Sequence, residues 1–125
     1  MIRKILLLLP AVVGGLDGFF FLGAAEGPLS FNRDVRPIIA EACFHCHGPD
    51  SATREADLRL DTERGFFGGE GAEPVVIPGK PEESPFYGRL VSNNPDDIMP
   101  PPGSHKDLKS EEIALIRRWI REGAI

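Results

Sequence analysis

The residues of this chain whose types and spacing can do chemistry lie together in Cys43-Phe44-His45-Cys46-His47. Two thiols three residues apart on a helix sit about one turn from each other. They can reach two vinyl groups along one edge of a porphyrin, while the His after the second Cys is carried to the iron. The order C-x-x-C-H is therefore the pattern for covalent attachment of a c-type haem. The chain has no other cysteines. A thiol-redox C-x-x-C goes with a βαβ pattern, which this sequence lacks. A structural zinc site needs four ligands, and only Cys43, Cys46, His47 and the distant His105 are at hand, with His45 as a spare. A disulfide between such near neighbours would close almost no loop and stabilise little.

Ile98-Met99-Pro100-Pro101-Pro102 is the second stretch that carries chemistry. A methionine thioether is a common second axial ligand of an electron-transfer haem and raises its potential. Met99 has no rival sulfur besides the initiator. Pro100 biases Met99 towards extended backbone, and the proline run stiffens the segment that presents it. His105 is the other candidate and would give a bis-His haem of lower potential. His45, inside the motif, is expected to point elsewhere.

Residues 1–25 have the form of a signal peptide. Arg3 and Lys4 precede the apolar run Ile5 to Val13, and Gly23-Ala24-Ala25 offers small residues to a peptidase. The alternative is an uncleaved N-terminal anchor, since apolar residues resume at Phe19. Pro10, Gly14-Gly15 and Asp17 interrupt the stretch and favour cleavage. Export is coherent with haem attachment, which takes place outside the cytoplasm, so an extracytoplasmic or periplasmic location is expected. The chain of 125 residues carries 14 Lys and Arg against 19 Asp and Glu, a net charge of −5. Loss of the leader would make it slightly more negative. That balance speaks against nucleic acid and anionic membrane as partners and suits a redox partner with a basic patch. With 14 glycines and 12 prolines, the chain has little regular structure to bury, and so small a domain needs a staple. One covalent haem would be that staple.

The elements that must position these residues read as helices. The stretch 30–42, with Ser30 or Asn32 as N-cap and Pro37 near its start, leads into the motif, and Gly48-Pro49-Asp50 turns the chain away. Residues 51–97 are loop-rich. Leu58-Arg59-Leu60 and Val75-Val76-Ile77 are short runs expected to pair as a small antiparallel ribbon across a glycine-rich connection. No Lys-Ser/Thr follows those glycines, so they do not form a phosphate cradle. Ser84 is expected to cap a short helix that begins at Pro85 and runs through Phe86, Tyr87, Leu90 and Val91. Residues 110–122 form the clearest helix. Ser110 is its expected cap, acids fill its first turn, arginines its last, and Gly123 stops it. Ile113, Ile116, Trp119 and Ile120 make its apolar stripe, expected to cross the first helix near Phe31 and Val35. Arg59 and Lys80 are expected to be solvated surface residues.

With these pieces placed, the chain resembles the planctomycete-type cytochrome c domain, a class I-like monohaem cytochrome. The resemblance rests on Phe31 to Ile38, Cys43 to Asp50, Leu58 to Thr62, Val76 to Ser84, Met99 to Pro102 and the 112–124 helix. It covers residues 29–125. It implies a small all-α cytochrome c-like fold around a covalently bound haem. Cys43 and Cys46 would hold the haem, with His47 as proximal and Met99 as distal ligand. Family members carry such a domain at the start of longer exported proteins, so the chain is expected to be either a stand-alone carrier or a piece of a longer one.

The function expected is electron transfer through a His/Met-ligated haem, by a carrier or module rather than an enzyme, since no hydrolytic triad or carboxylate pair stands out. Two alternatives from other classes remain. One is a haem-based sensor in which Met99 yields its place to a small ligand. The other is a zinc-stapled interaction domain.

Overall fold

The computed structural model describes residues 27–125, so the expected leader at 1–25 lies outside the described residues. The chain is helix-rich, as expected of a small cytochrome-like domain. Among the described residues, the α-helices are α1 (Arg36–His47), α2 (Glu63–Phe67), α3 (Pro85–Leu90) and α4 (Ser110–Arg121), with single 3₁₀ turns at Pro81–Glu83 and Pro102–Ser104. Among the described residues, no helix is long and apolar enough to cross a membrane.

A wide π-type turn, Phe31–Val35, leads straight into α1. Its last bond runs from the Arg36 N–H to the Phe31 carbonyl, five residues back. Pro37 has no N–H to return to the preceding turn, which is consistent with the looser geometry there. Ser30 stands at the N-cap, but its hydroxyl does not cap. The Asp34 carboxylate instead accepts the Ser30 N–H at 2.8 Å. α1 runs through the whole C-x-x-C-H motif rather than ending before it.

The expected β-ribbon does not form. Among the described residues, the ladder contacts amount to one isolated bridge, between Gly69 and Ala72. The physical reason lies in where the N–H groups go. Leu60 donates to the His47 carbonyl at 2.7 Å, and Val75 and Val76 both donate to the Phe66 carbonyl at 2.9 Å. Each run is spent on a helix end, and α2 stands between them. Thr62 caps α2, its hydroxyl accepting the Gly65 N–H at 3.2 Å.

Two further capping expectations are corrected. Ser84 precedes α3, but its hydroxyl donates to the Lys80 carbonyl at 2.8 Å and accepts the Ile77 N–H at 2.9 Å. It braces the proline-glycine turn instead of the helix. In α4 the N-cap is Lys109, whose N–H is taken by the Glu112 carboxylate at 2.8 Å, and Ser110 is the first helical residue.

The core gathers on four aromatic rings. Phe66 meets Phe86 and Trp119 at centroid distances of 5.7 Å and Phe31 at 6.0 Å, all edge-to-face. Phe31 lies 5.2 Å from Trp119. Here α4 crosses the start of the first helix, as its apolar stripe predicts. Val35, Ile39, Leu60, Val76, Ile116 and Ile120 complete the buried centre. The Trp119 indole N–H donates to the Ile125 carbonyl at 2.9 Å, so its polar handle is satisfied.

Candidate functional site

The motif sits in the last turns of α1, and the chain that follows wraps that helix end. The helix leaves carbonyls without intrahelical partners there. The Thr53 hydroxyl donates to the His45 carbonyl at 2.8 Å, and the Glu55 N–H to that of Cys46 at 2.7 Å. His47 receives the Leu60 N–H, and the Arg54 guanidinium donates to the Gly48 carbonyl at 3.1 Å and to that of Pro49 at 3.0 Å. Five consecutive carbonyls are thereby held. At Gly48 a β-carbon would stand 2.1 Å from the Phe44 carbonyl oxygen, so no larger residue fits without moving the motif.

Facing the motif is a cavity of about 710 Å³. One wall is α1, through Ala42, Cys43, His45, Cys46 and His47. The opposite wall is Met99, Pro100, Pro101, Ser104 and Lys106, and Glu55 and Ala56 complete the lining. A smaller cavity of about 240 Å³ is lined by Leu58, Leu60, Val75, Phe86, Leu90 and Met99, and again by Cys43 and His47. Both voids thus share Cys43, His47 and Met99. The larger lies within the range of volumes that proteins use for cofactors.

Met99 is brought to this place by its own backbone. Its N–H donates to the carbonyl of Arg89, in the last turn of α3, at 3.0 Å. The structure thus sets the two sequence-predicted regions, more than fifty residues apart, on facing walls. His105 does not join them: it is exposed and lies in a separate groove with Pro37, Ile38, Glu41 and Leu108. His45 is exposed and stands among the residues that line the larger cavity. Among the described residues, no three His, Cys, Asp or Glu side chains gather as a metal site. Lys80 pairs with Glu83 at the surface, as a solvated residue would, whereas Arg59 is half-buried and pairs with a largely covered Asp61.

The thiols are free. Burial, and secondarily the neighbouring Cys46, push the Cys43 thiol up to about 12. A redox dithiol works through a thiolate of depressed pKa, so this environment is the opposite of what thiol exchange needs. His47 is half-buried, and its Nδ1 is enclosed with no hydrogen-bond partner among the described residues. The protein's own groups therefore leave this ring's polar needs unmet. An enclosed imidazole, two thiols one turn apart and a facing thioether, on largely apolar walls, are a donor set that fits a haem.

Comparison with known proteins agrees with this geometry. A family model described as Planctomycete cytochrome C matches residues 43–103. That match supports a planctomycete-type cytochrome c domain. No curated protein and no solved structure matches. The matched stretch begins at the first cysteine of the motif and ends just past the proline run after Met99, so it takes in residues of both walls of the large cavity. A cytochrome c domain implies a haem cofactor and a haem-based function.

Several site residues escaped the sequence reading. Thr53 and Arg54 act as backbone ties, a task open to many polar residues and marked by no pattern. Leu58, Leu60 and Val75 were read as strand residues and are cavity wall. Lys106 lines the cavity and pairs with Glu41 at 2.7 Å across 65 residues, a long-range contact that no local signal announces.

Proposed function

We propose that this chain is a monohaem c-type cytochrome module that transfers single electrons through a His/Met-ligated, covalently attached haem. The reading rests on one observation above others: Cys43, His47 and Met99 are common to the linings of both cavities beside the motif. When bound, the haem would supply the one-electron couple. Cys43 and Cys46 would hold it through two thioethers, and His47 would offer a nitrogen from the same helix end. Met99 would supply a neutral thioether, which favours the reduced state relative to a second nitrogen.

The chain's other residues would keep that site rigid and dry. The five tied carbonyls fix the end of α1, and Leu58, Leu60, Phe86 and Leu90 close the inner wall to water. A site held in this way reorganises little when charge is gained or lost. The leader-like start and the chemistry of haem attachment support export, with the domain working outside the cytoplasm. The acidic balance of the chain suits a redox partner that presents a basic patch.

The test is spectroscopic. Exported protein, made with haem-maturation machinery, is expected to show the sulfur-to-iron charge-transfer band when oxidised. Met99→Ala should keep its haem and lose that band. A band unchanged in Met99→Ala would clear Met99 of ligation, and carbon monoxide binding to the reduced wild type would favour a ligand sensor instead.

A further inference from the structure

The segment that carries Met99 is held at two points by one residue. The Arg89 carbonyl accepts the Met99 N–H at 3.0 Å. The Arg89 side chain reaches forward to Asp97, where Nη1 lies 3.2 Å from both the main-chain carbonyl and Oδ1. The other carboxylate oxygen of Asp97 accepts from the Asn94 side-chain amide at 2.8 Å. Asn94 in turn takes the Asp97 and Ile98 N–H groups on its own carbonyl, at 3.0 and 2.9 Å. Residues 89–99 thus form a closed loop whose last residue is Met99, and Arg89 also lines the smaller cavity.

We propose that Arg89 is a positioning residue for the Met99 thioether, acting through Asp97 and Asn94 to hold the ligand-bearing segment against the cavity. The proposal rests on the reading of Met99 as a haem ligand. An ion pair as exposed as this one contributes little to global stability on its own. Its effect falls instead on a local equilibrium between a seated and a released thioether. A neutral thioether binds iron weakly, so a small change in that equilibrium is readable.

The experiment uses the full-length, haem-loaded ferric protein and titrates it with imidazole, following loss of the charge-transfer band. Arg89→Ala should bind imidazole about fivefold more tightly than wild type, because release of Met99 becomes easier. Arg89→Lys, which keeps the charge but not the planar guanidinium that sets Nη1 against both Asp97 oxygens, should fall between them. Asn94→Ala should shift in the same direction and serves where Arg89→Ala does not fold. Arg117→Ala removes a remote surface pair with Glu82 and should leave imidazole affinity as in wild type.

Imidazole affinity in both Arg89→Ala and Asn94→Ala equal to wild type would overturn the proposal, as would an equal shift in Arg117→Ala. Those results leave the ligand assignment standing if the wild type shows the band and Met99→Ala lacks it. A wild type without the band defeats the ligand assignment first, and this proposal with it.

Discussion

Phe66 and Phe67 are adjacent residues of one type in opposite settings, and they give the sharpest test of where the core lies. Phe66 is 3% exposed and meets four other rings, whereas Phe67 is 36% exposed and, among the described residues, meets no ring but that of Phe66. Phe66→Leu keeps most of the transfer energy but loses the edge-to-face contacts and opens a small void. Aromatic pairs contribute about 0.5–1.5 kcal/mol each beyond burial, with strong non-additivity, so a loss of about 2–3 kcal/mol is expected. For a domain of this size that lowers Tm by roughly 10–20 °C. Phe67→Leu should cost about 0.5 kcal/mol or less. Phe66 lines neither cavity beside the motif, so the haem spectrum of Phe66→Leu at low temperature should match wild type. Differential scanning calorimetry of the haem-loaded proteins, with a spectrum of each, reads both quantities. Equal Tm shifts for the two variants would refute this placement of the core.

Two other expectations follow from the geometry. Gly48→Ala forces a β-carbon towards the Phe44 carbonyl, a backbone atom that cannot swing aside, and should destabilise by about 1–3 kcal/mol in denaturant titration while lowering haem yield. The Arg33 side chain and the Ser30 N–H hold the Asp34 carboxyl below its ordinary value, and Arg59 does the same for Asp61. Both carboxylates favour the folded state when ionised, so their contribution is present at neutral pH and is lost as pH falls below the ordinary carboxylate range. Tm should decline in acid, and Asp34→Asn should flatten that decline.

What was legible in the sequence follows from how local each signal is. The C-x-x-C-H motif is read from side-chain chemistry at fixed spacing, and α4 from an amphipathic repeat long enough to be unambiguous. Leu58-Arg59-Leu60 and Val75-Val76-Ile77 look like strands because alternation is all that a short run can show. Their N–H groups are claimed by the carbonyls of His47 and Phe66, and that choice is made by tertiary structure. The caps failed for a related reason: Ser84 could brace either a turn or a helix, and only the fold decides. Met99 was singled out as the one methionine besides the initiator, while the Arg89–Asp97–Asn94 loop beside it is made of ordinary surface residues. Such residues carry no marker until the folded chain brings them together.

The measurement that bears most directly on the central claim is the intact mass of the exported protein made with haem-maturation machinery. Attachment through Cys43 and Cys46 predicts one population, heavier by a single haem, that keeps its colour in acid-acetone and offers no thiol to an alkylating reagent after unfolding. A colourless product of unmodified mass, with both cysteines alkylated, would contradict the account.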